Sequence, residues 1–221
     1  MISGYFWVDV VIKVVLALGV MIVLALLAIY AELKVMSHMQ HRIGPYYAGG
    51  RWGWAQPLAD AAKFIQKEDL VPDGADAPIF KTAPYIVVAA TFATFVVIPF
   101  SPSLVARNLD LGVFFILAIS SITTLGVLMA GWSSANKYSL MGGLRAAGQL
   151  IAYELPLLLA VVAVVVQAGT MSLVGIVEAQ AAPIEIGGLS ISLPFILKGQ
   201  IVTFVIFLIA AVAELSRIPF D

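Results

Sequence analysis

The sequence predicts an all-α, polytopic helical membrane protein, with about five transmembrane helices and one amphipathic helix lying in the membrane interface. Three observations predict it: an apolar composition, apolar runs of spanning length, and basic residues gathered between alternate runs. Of 221 residues, 62% are apolar and 11% charged, and the mean hydropathy is +1.03. Soluble domains run near about 45–50% apolar and about 25% charged. A bilayer removes the need for a charged shell, which accounts for both departures. The net charge of −1 supplies no long-range field to recruit nucleic acid.

A helix needs about 20 mostly apolar residues to cross a hydrocarbon core of about 30 Å. The expected spans are Phe6–Ala31, Thr82–Phe100, Leu111–Ala130, Ala146–Gln167 and Leu193–Ala213, within one integral membrane domain over residues 1–221. A cleaved signal peptide is the competing reading of the first run, but the run is too long and no basic region precedes it. Pro99 and Pro102 bracket the end of the second span. Pro183, Gly187 and Gly188 mark the loop before the fifth.

Charge sets the expected orientation. Lys34, Arg42, Arg51, Lys63, Lys67 and Lys81 lie between the first two spans, Lys137 and Arg145 near the fourth, and Arg217 after the fifth. The opposite loops offer Arg107, with Glu178 and Glu185 in the last of them. Basic loops stay in the cytoplasm, so the N-terminus is expected outside. Residues 57–67 differ from the spans. Leu58, Ala61, Ala62 and Ile65 share one helical face, while Asp60, Lys63, Gln66 and Lys67 take the other. That pattern predicts a helix in the plane of the interface, with Trp52 and Trp54 in the headgroup layer beside it.

Cysteine is absent and the histidines are His38 and His41. Disulfides and thiolate-held iron–sulfur clusters are thereby excluded, and no apolar run carries a histidine to hold a haem. No GxGxxG, P-loop or HExxH occurs, and two histidines in one loop support no Ser–His–Asp arrangement. Ionisable groups within spans are the remaining candidates, because each costs about 2.5–3.5 kcal/mol to insert at a helix centre. Glu32 ends the first span, Glu154 lies inside the fourth, and Glu214 ends the fifth. Glu214 with Arg217 reads equally well as a local ion pair, and Glu32 with Lys34 as ordinary interfacial charge. Glu154 lies deeper. Arg145, Gln149 and Tyr153 recur every four residues and form a polar stripe that Glu154 borders. Pro156 loosens the helix just beyond it. A carboxyl at such depth can serve as a proton relay.

Longer stretches carry a resemblance. They are Ala31-Glu32-Leu33-Lys34-Val35-Met36, Met39 through Pro45, Gln56 through Lys63, Asn136-Lys137-Tyr138-Ser139-Leu140, Leu144 through Ala147 with Gln149, Tyr153-Glu154, and Ala213-Glu214 with Arg217 through Asp221. In this order they resemble the H subunit of proton-translocating NADH–quinone oxidoreductase, respiratory complex I. The resemblance implies a membrane subunit that helps wall a quinone tunnel and couples quinone reduction to proton translocation. It implies coupling carboxylates at Glu32, Asp60, Glu154, Glu214 and Asp221. Arg42, Arg145, Arg217 and Tyr153 would be their charge partners, and Trp52, Trp54 and Lys63 would lie at the quinone entrance. No catalytic residue and no metal of its own is expected; quinone is substrate, shared with partner subunits. The implied partners are iron–sulfur and quinone-site subunits of a hydrophilic arm, other membrane-arm subunits and the lipid bilayer, with no nucleic acid. The implied location is an energy-coupling membrane such as the bacterial plasma membrane. Leu33, Tyr46 and Leu215-Ser216 depart from the residues usual in that family. Family members also continue beyond the position of Asp221, so residues 1–221 are expected to be the N-terminal portion of a longer subunit. The alternatives are the homologous membrane subunit of an energy-converting hydrogenase, a secondary ion transporter, disfavoured by the lack of an internal repeat, and a structural anchor.

Overall fold

A computed structural model describes residues 6–101, 105–186 and 189–220. The chain forms two compact units, residues 1–70 and 71–221. The first holds α1 (Phe6–Met39) and α2 (Gln56–Ile65). The second holds α3 (Ala77–Thr94), α4 (Gly112–Ser133), α5 (Lys137–Ala168), α6 (Leu173–Ala181), a hairpin of β1 (Ile184–Ile186) and β2 (Leu189–Ile191), a 3-10 turn at Phe195–Lys198, and α7 (Ile201–Glu214). The fold is helical, as expected.

Among the described residues, Val8–Met39, Gly112–Ser133 and Lys137–Ala168 are helices long and apolar enough to cross a membrane. The first, third and fourth expected spans fall on them. The second expected span is displaced: α3 begins at Ala77, with Pro78 in its first turn, and Pro84 lies inside it. Past Thr94 the chain tightens into i→i−3 bonds from Phe95, Val96 and Val97. Pro99 disfavours helix in the residue before it, so the last apolar residues of that run are turn. The fifth run divides. Gly199, at φ +100°, ends the 3-10 turn, and the continuous helix is the 14 residues of α7.

In the second unit, α3, α4, α5 and α7 pack one on the next in chain order. Small residues let the backbones close in, the usual solution where lipid offers no hydrophobic drive between helices. A Cβ added at Gly131 of α4 would lie 3.0 Å from the Cα of Gly143 in α5, and one at Gly126 would lie 2.5 Å from Val87 of α3. A Gly131→Leu substitution meets backbone, which cannot rotate away. It is expected to cost about 1–3 kcal/mol by overpacking, read as a lower midpoint in denaturing-detergent titration of the full-length protein.

The connection before α7, expected as loop, holds structure of its own. Ser172 caps α6 by accepting from the Gly175 amide at 3.3 Å, and its hydroxyl donates to Asn108 Oδ1 at 2.9 Å. Ile176 of α6 and Phe195 of the 3-10 turn then meet Val113 of α4 in a small buried core. The antiparallel β1–β2 pair, with Glu185 opposite Ser190, follows; Gly187 and Gly188 lie outside the described residues.

Candidate functional site

In the second unit, Asn136 starts α5 by accepting the Tyr138 amide through its side chain at 2.9 Å. That helix carries Arg145, Gln149, Tyr153 and Glu154. Glu154 is partly buried, and its carboxylate accepts a short hydrogen bond from the Ser121 hydroxyl of α4. The same hydroxyl lies 2.9 Å from the Leu117 carbonyl. Ser121 has one proton and faces two acceptors, so a hydroxyl rotation serves one or the other.

Gln149 closes α5 onto the chain around the end of α7. Its amide donates to the carbonyls of Ala213 at 2.7 Å and Phe220 at 3.2 Å. Four residues on, Tyr153 meets Phe220 edge-on with ring centroids 5.1 Å apart. The polar stripe therefore acts as a clasp. A Gln149→Leu variant keeps the volume and takes the side-chain donor from the Phe220 carbonyl, while the Ala213 carbonyl keeps the Ser216 amide, a loss of about 1–3 kcal/mol. Trypsin should then cut the full-length protein faster at Arg217.

Glu214, at the last residue of α7, is half-buried and feels the Glu154 charge. It lines a cavity of about 770 Å³ whose walls are mostly apolar. The hydroxyl residues Ser120 and Thr123 of α4 and Thr91 of α3 also line it. A carboxyl facing hydroxyls in an otherwise apolar chamber can exchange a proton with a short file of water or with a polar ligand head.

The other expected partners lie on α5 and past the end of α7. Arg145 is exposed on α5 and makes no ion pair with a carboxylate among the described residues. Tyr153 makes its described contact through the ring, to Phe220. Arg217 is exposed beyond the end of α7. Asp221 lies outside the described residues.

Glu32, Arg42, Trp52, Trp54, Asp60 and Lys63 belong to the first unit. There the chain reverses after α1. His41 adopts a positive φ of 53°, and the Arg42 amide donates back to the Ser37 carbonyl at 2.9 Å. Lys34 then donates to the Pro45 carbonyl at 2.6 Å, and the Tyr30 hydroxyl to the Trp52 carbonyl at 2.8 Å. Asp60, on α2, accepts from Gln56 at 3.1 Å and lines a cavity of about 670 Å³ with Arg42, Ser37 and Tyr46. The guanidinium of Arg42 uses its Nε on Gln40 at 2.7 Å. Trp52, Trp54 and Lys63 are exposed, and Glu32 is partly buried.

The profile of the family described as NADH dehydrogenase matches residues 12–221 of this chain. The chain belongs to that family. Among similar proteins, the NADH-quinone oxidoreductase H subunit of Bacillus mycoides (strain KBAB4) is 47% identical over 193 residues, 87% of this chain and 55% of the relative. In Koribacter versatilis (strain Ellin345), the NADH-quinone oxidoreductase H subunit numbered 1 is 46% identical over 221 residues, 97% of this chain and 50% of the relative. The chain spans about half the length of these curated relatives.

Within the family frame, the residue that sequence reasoning missed is Ser121. A serine in an apolar run has no charge and no periodic partner to mark it. Its four-residue offset from Leu117, where its hydroxyl reaches the carbonyl, is the ordinary helical position for such a residue. The bond to Glu154 appears only when α4 and α5 are packed.

Proposed function

We propose that this chain is part of the quinone-site membrane subunit of a proton-translocating NADH–quinone oxidoreductase, and that its second unit carries protonation changes between quinone chemistry and the membrane arm. The observation that carries this reading is the placement of two carboxyls, Glu154 and Glu214, on the packed helices α5 and α7. One rests on a serine hydroxyl and the other lines a large, mostly apolar cavity. A charge change at a quinone beside Glu214 is felt electrostatically by the carboxyl on the neighbouring helix. The names of the relatives favour the quinone enzyme over a hydrogenase.

Glu32 and Asp60 act in the same sense within the first unit, where Arg42 and Asp60 both line one cavity. Trp52, Trp54 and Lys63 form the lip of the quinone entrance, where flat amphipathic rings suit the headgroup layer. Arg145, Arg217 and Tyr153 tune the field around the carboxyls, and Asp221 extends the acidic path. The electrons arrive through iron–sulfur subunits docked on the cytoplasmic side. The N-terminus faces outside, because the loop with Lys34, Arg42, Arg51, Lys63, Lys67 and Lys81 is basic. The test is proton translocation and quinone reduction in vesicles whose full-length subunit carries Glu154→Gln. Unchanged proton translocation would remove the carboxyl pair from the mechanism.

A further inference from the structure

The first unit holds a pocket where Arg42 and Trp52 of the quinone reading meet basic residues which that reading leaves unused. A cavity of about 480 Å³ is lined by Lys34, His38, His41, Arg42, Arg51 and Trp52, among others, with no carboxylate among its lining residues. The chain as a whole has a net charge of −1, so this is a local segregation of positive charge.

Its depth follows from the chain reversal. The apolar run of α1 ends at Ala31, and Lys34 stands about 4.5 Å further along the axis at about 1.5 Å per residue. The headgroup layer is about 5–8 Å thick on each side. The returning loop retraces α1: Arg42 is tied to Ser37, Pro45 to Lys34, and Trp52 to Tyr30. Arg51 and Trp52 are thereby brought back to the level of the last apolar turn. Trp52 is 71% exposed and Trp54 62% exposed, which suits aromatic residues of a headgroup belt.

Donor chemistry narrows the ligand. His38 spends its Nδ1–H on the Lys34 carbonyl at 2.8 Å, so the donors facing the cavity come from Lys34, Arg42 and Arg51. Arg42 spends Nε on Gln40, which leaves its terminal NH2 groups. Guanidinium forks of this kind match phosphate oxygens.

We propose that this pocket binds the phosphate headgroup of an anionic phospholipid from the adjoining leaflet, with the acyl chains lying along α1. The full-length protein, purified with its partner subunits in detergent, is exchanged into phosphatidylglycerol or phosphatidylcholine, and retained lipid is read by native mass spectrometry. Arg51→Gln should weaken phosphatidylglycerol retention roughly fivefold, the fold-change equivalent to about 1 kcal/mol per basic residue at a membrane surface. Arg51→Gln with His41→Gln should weaken it further, Arg51→Lys should restore most of it, and phosphatidylcholine should bind weakly to all. The restoration by lysine separates lost charge from a misfolded loop. Equal retention of both lipids, or no effect of either variant, overturns the proposal. Two other results overturn it too. One is displacement by millimolar inorganic phosphate with no preference for lipid, which makes the pocket a soluble-anion site. The other is loss of partner subunits with phosphatidylglycerol retention intact, which makes it a face for an acidic protein.

Discussion

Enzyme assembled with Glu154→Gln is expected to lose proton translocation by roughly tenfold or more, since removing a proton-transferring group costs about 10²–10⁴-fold. The substitution is nearly isosteric, and its amide oxygen still accepts the Ser121 hydroxyl that the carboxylate accepts now. The helix pairing of α4 and α5 is therefore kept, and the protein should assemble normally. What disappears is the ability to take up and release a proton at that depth. Proton uptake per NADH oxidised, measured in sealed vesicles with a pH-sensitive dye, separates this loss from a general loss of turnover. Assembly is checked by the yield of the complex on a native gel. A variant that assembles and pumps at the parental ratio would contradict the role given to Glu154.

The second large effect belongs to the first unit. Gly53 is buried at φ +63°, and a Cβ placed there would lie 2.1 Å from the Pro45 oxygen and 2.4 Å from its carbonyl carbon. Pro45 is the residue that Lys34 holds, so neither side can yield freely. Gly53→Ala meets a left-handed backbone cost of about 1–2 kcal/mol and an overlap cost of about 1–3 kcal/mol. Gly50 supplies the internal control. Its φ is +84°, but an added Cβ meets nothing within 4 Å, so Gly50→Ala carries the conformational part alone. Limited proteolysis of full-length protein should cut the Gly53→Ala loop much faster at Arg42 and Arg51 than the Gly50→Ala loop. Equal cutting of the two would refute the steric argument.

The parts of the fold legible in the sequence are those governed by one-dimensional hydropathy. The runs that form α1, α4 and α5 are long enough that a bilayer-length rule finds them, though α5 begins at Lys137, nine residues before the apolar run starts. Asn136 sets that start by capping, and a cap is read from residues that hydropathy ignores. The end of the second run escapes the same rule for a related reason, since Phe95, Val96 and Val97 are apolar but held in a turn ahead of Pro99. The hairpin is open to a different reading: Ile184-Glu185-Ile186 and Leu189-Ser190-Ile191 alternate about Gly187-Gly188, a two-residue hairpin pattern. The α6 helix has nine residues and no strong periodicity, and its support comes from Val113 and Phe195, distant in sequence.

The candidate site divides in the same way. Glu154, Glu214 and Gln149 stand out because polar groups in apolar runs carry a cost that has to be met. What meets it is not legible. Ser121 supplies the bond to Glu154 from another helix, and Gln149 reaches two carbonyls more than sixty positions away. Arg145 shares the face of Gln149 by spacing, yet it stands exposed. Periodicity assigns a face, but not how far along that face a neighbour extends.

The glycine contact between α4 and α5 sets a limit on how a signal can travel. Where Gly131 and Gly143 bring two main chains together, lengthwise sliding would force the side chains flanking that gap into one another. Ser121 and Glu154 ride on those same two helices. At the glycine contact the obstacle to sliding is main chain, which cannot rotate out of the way as a side chain can.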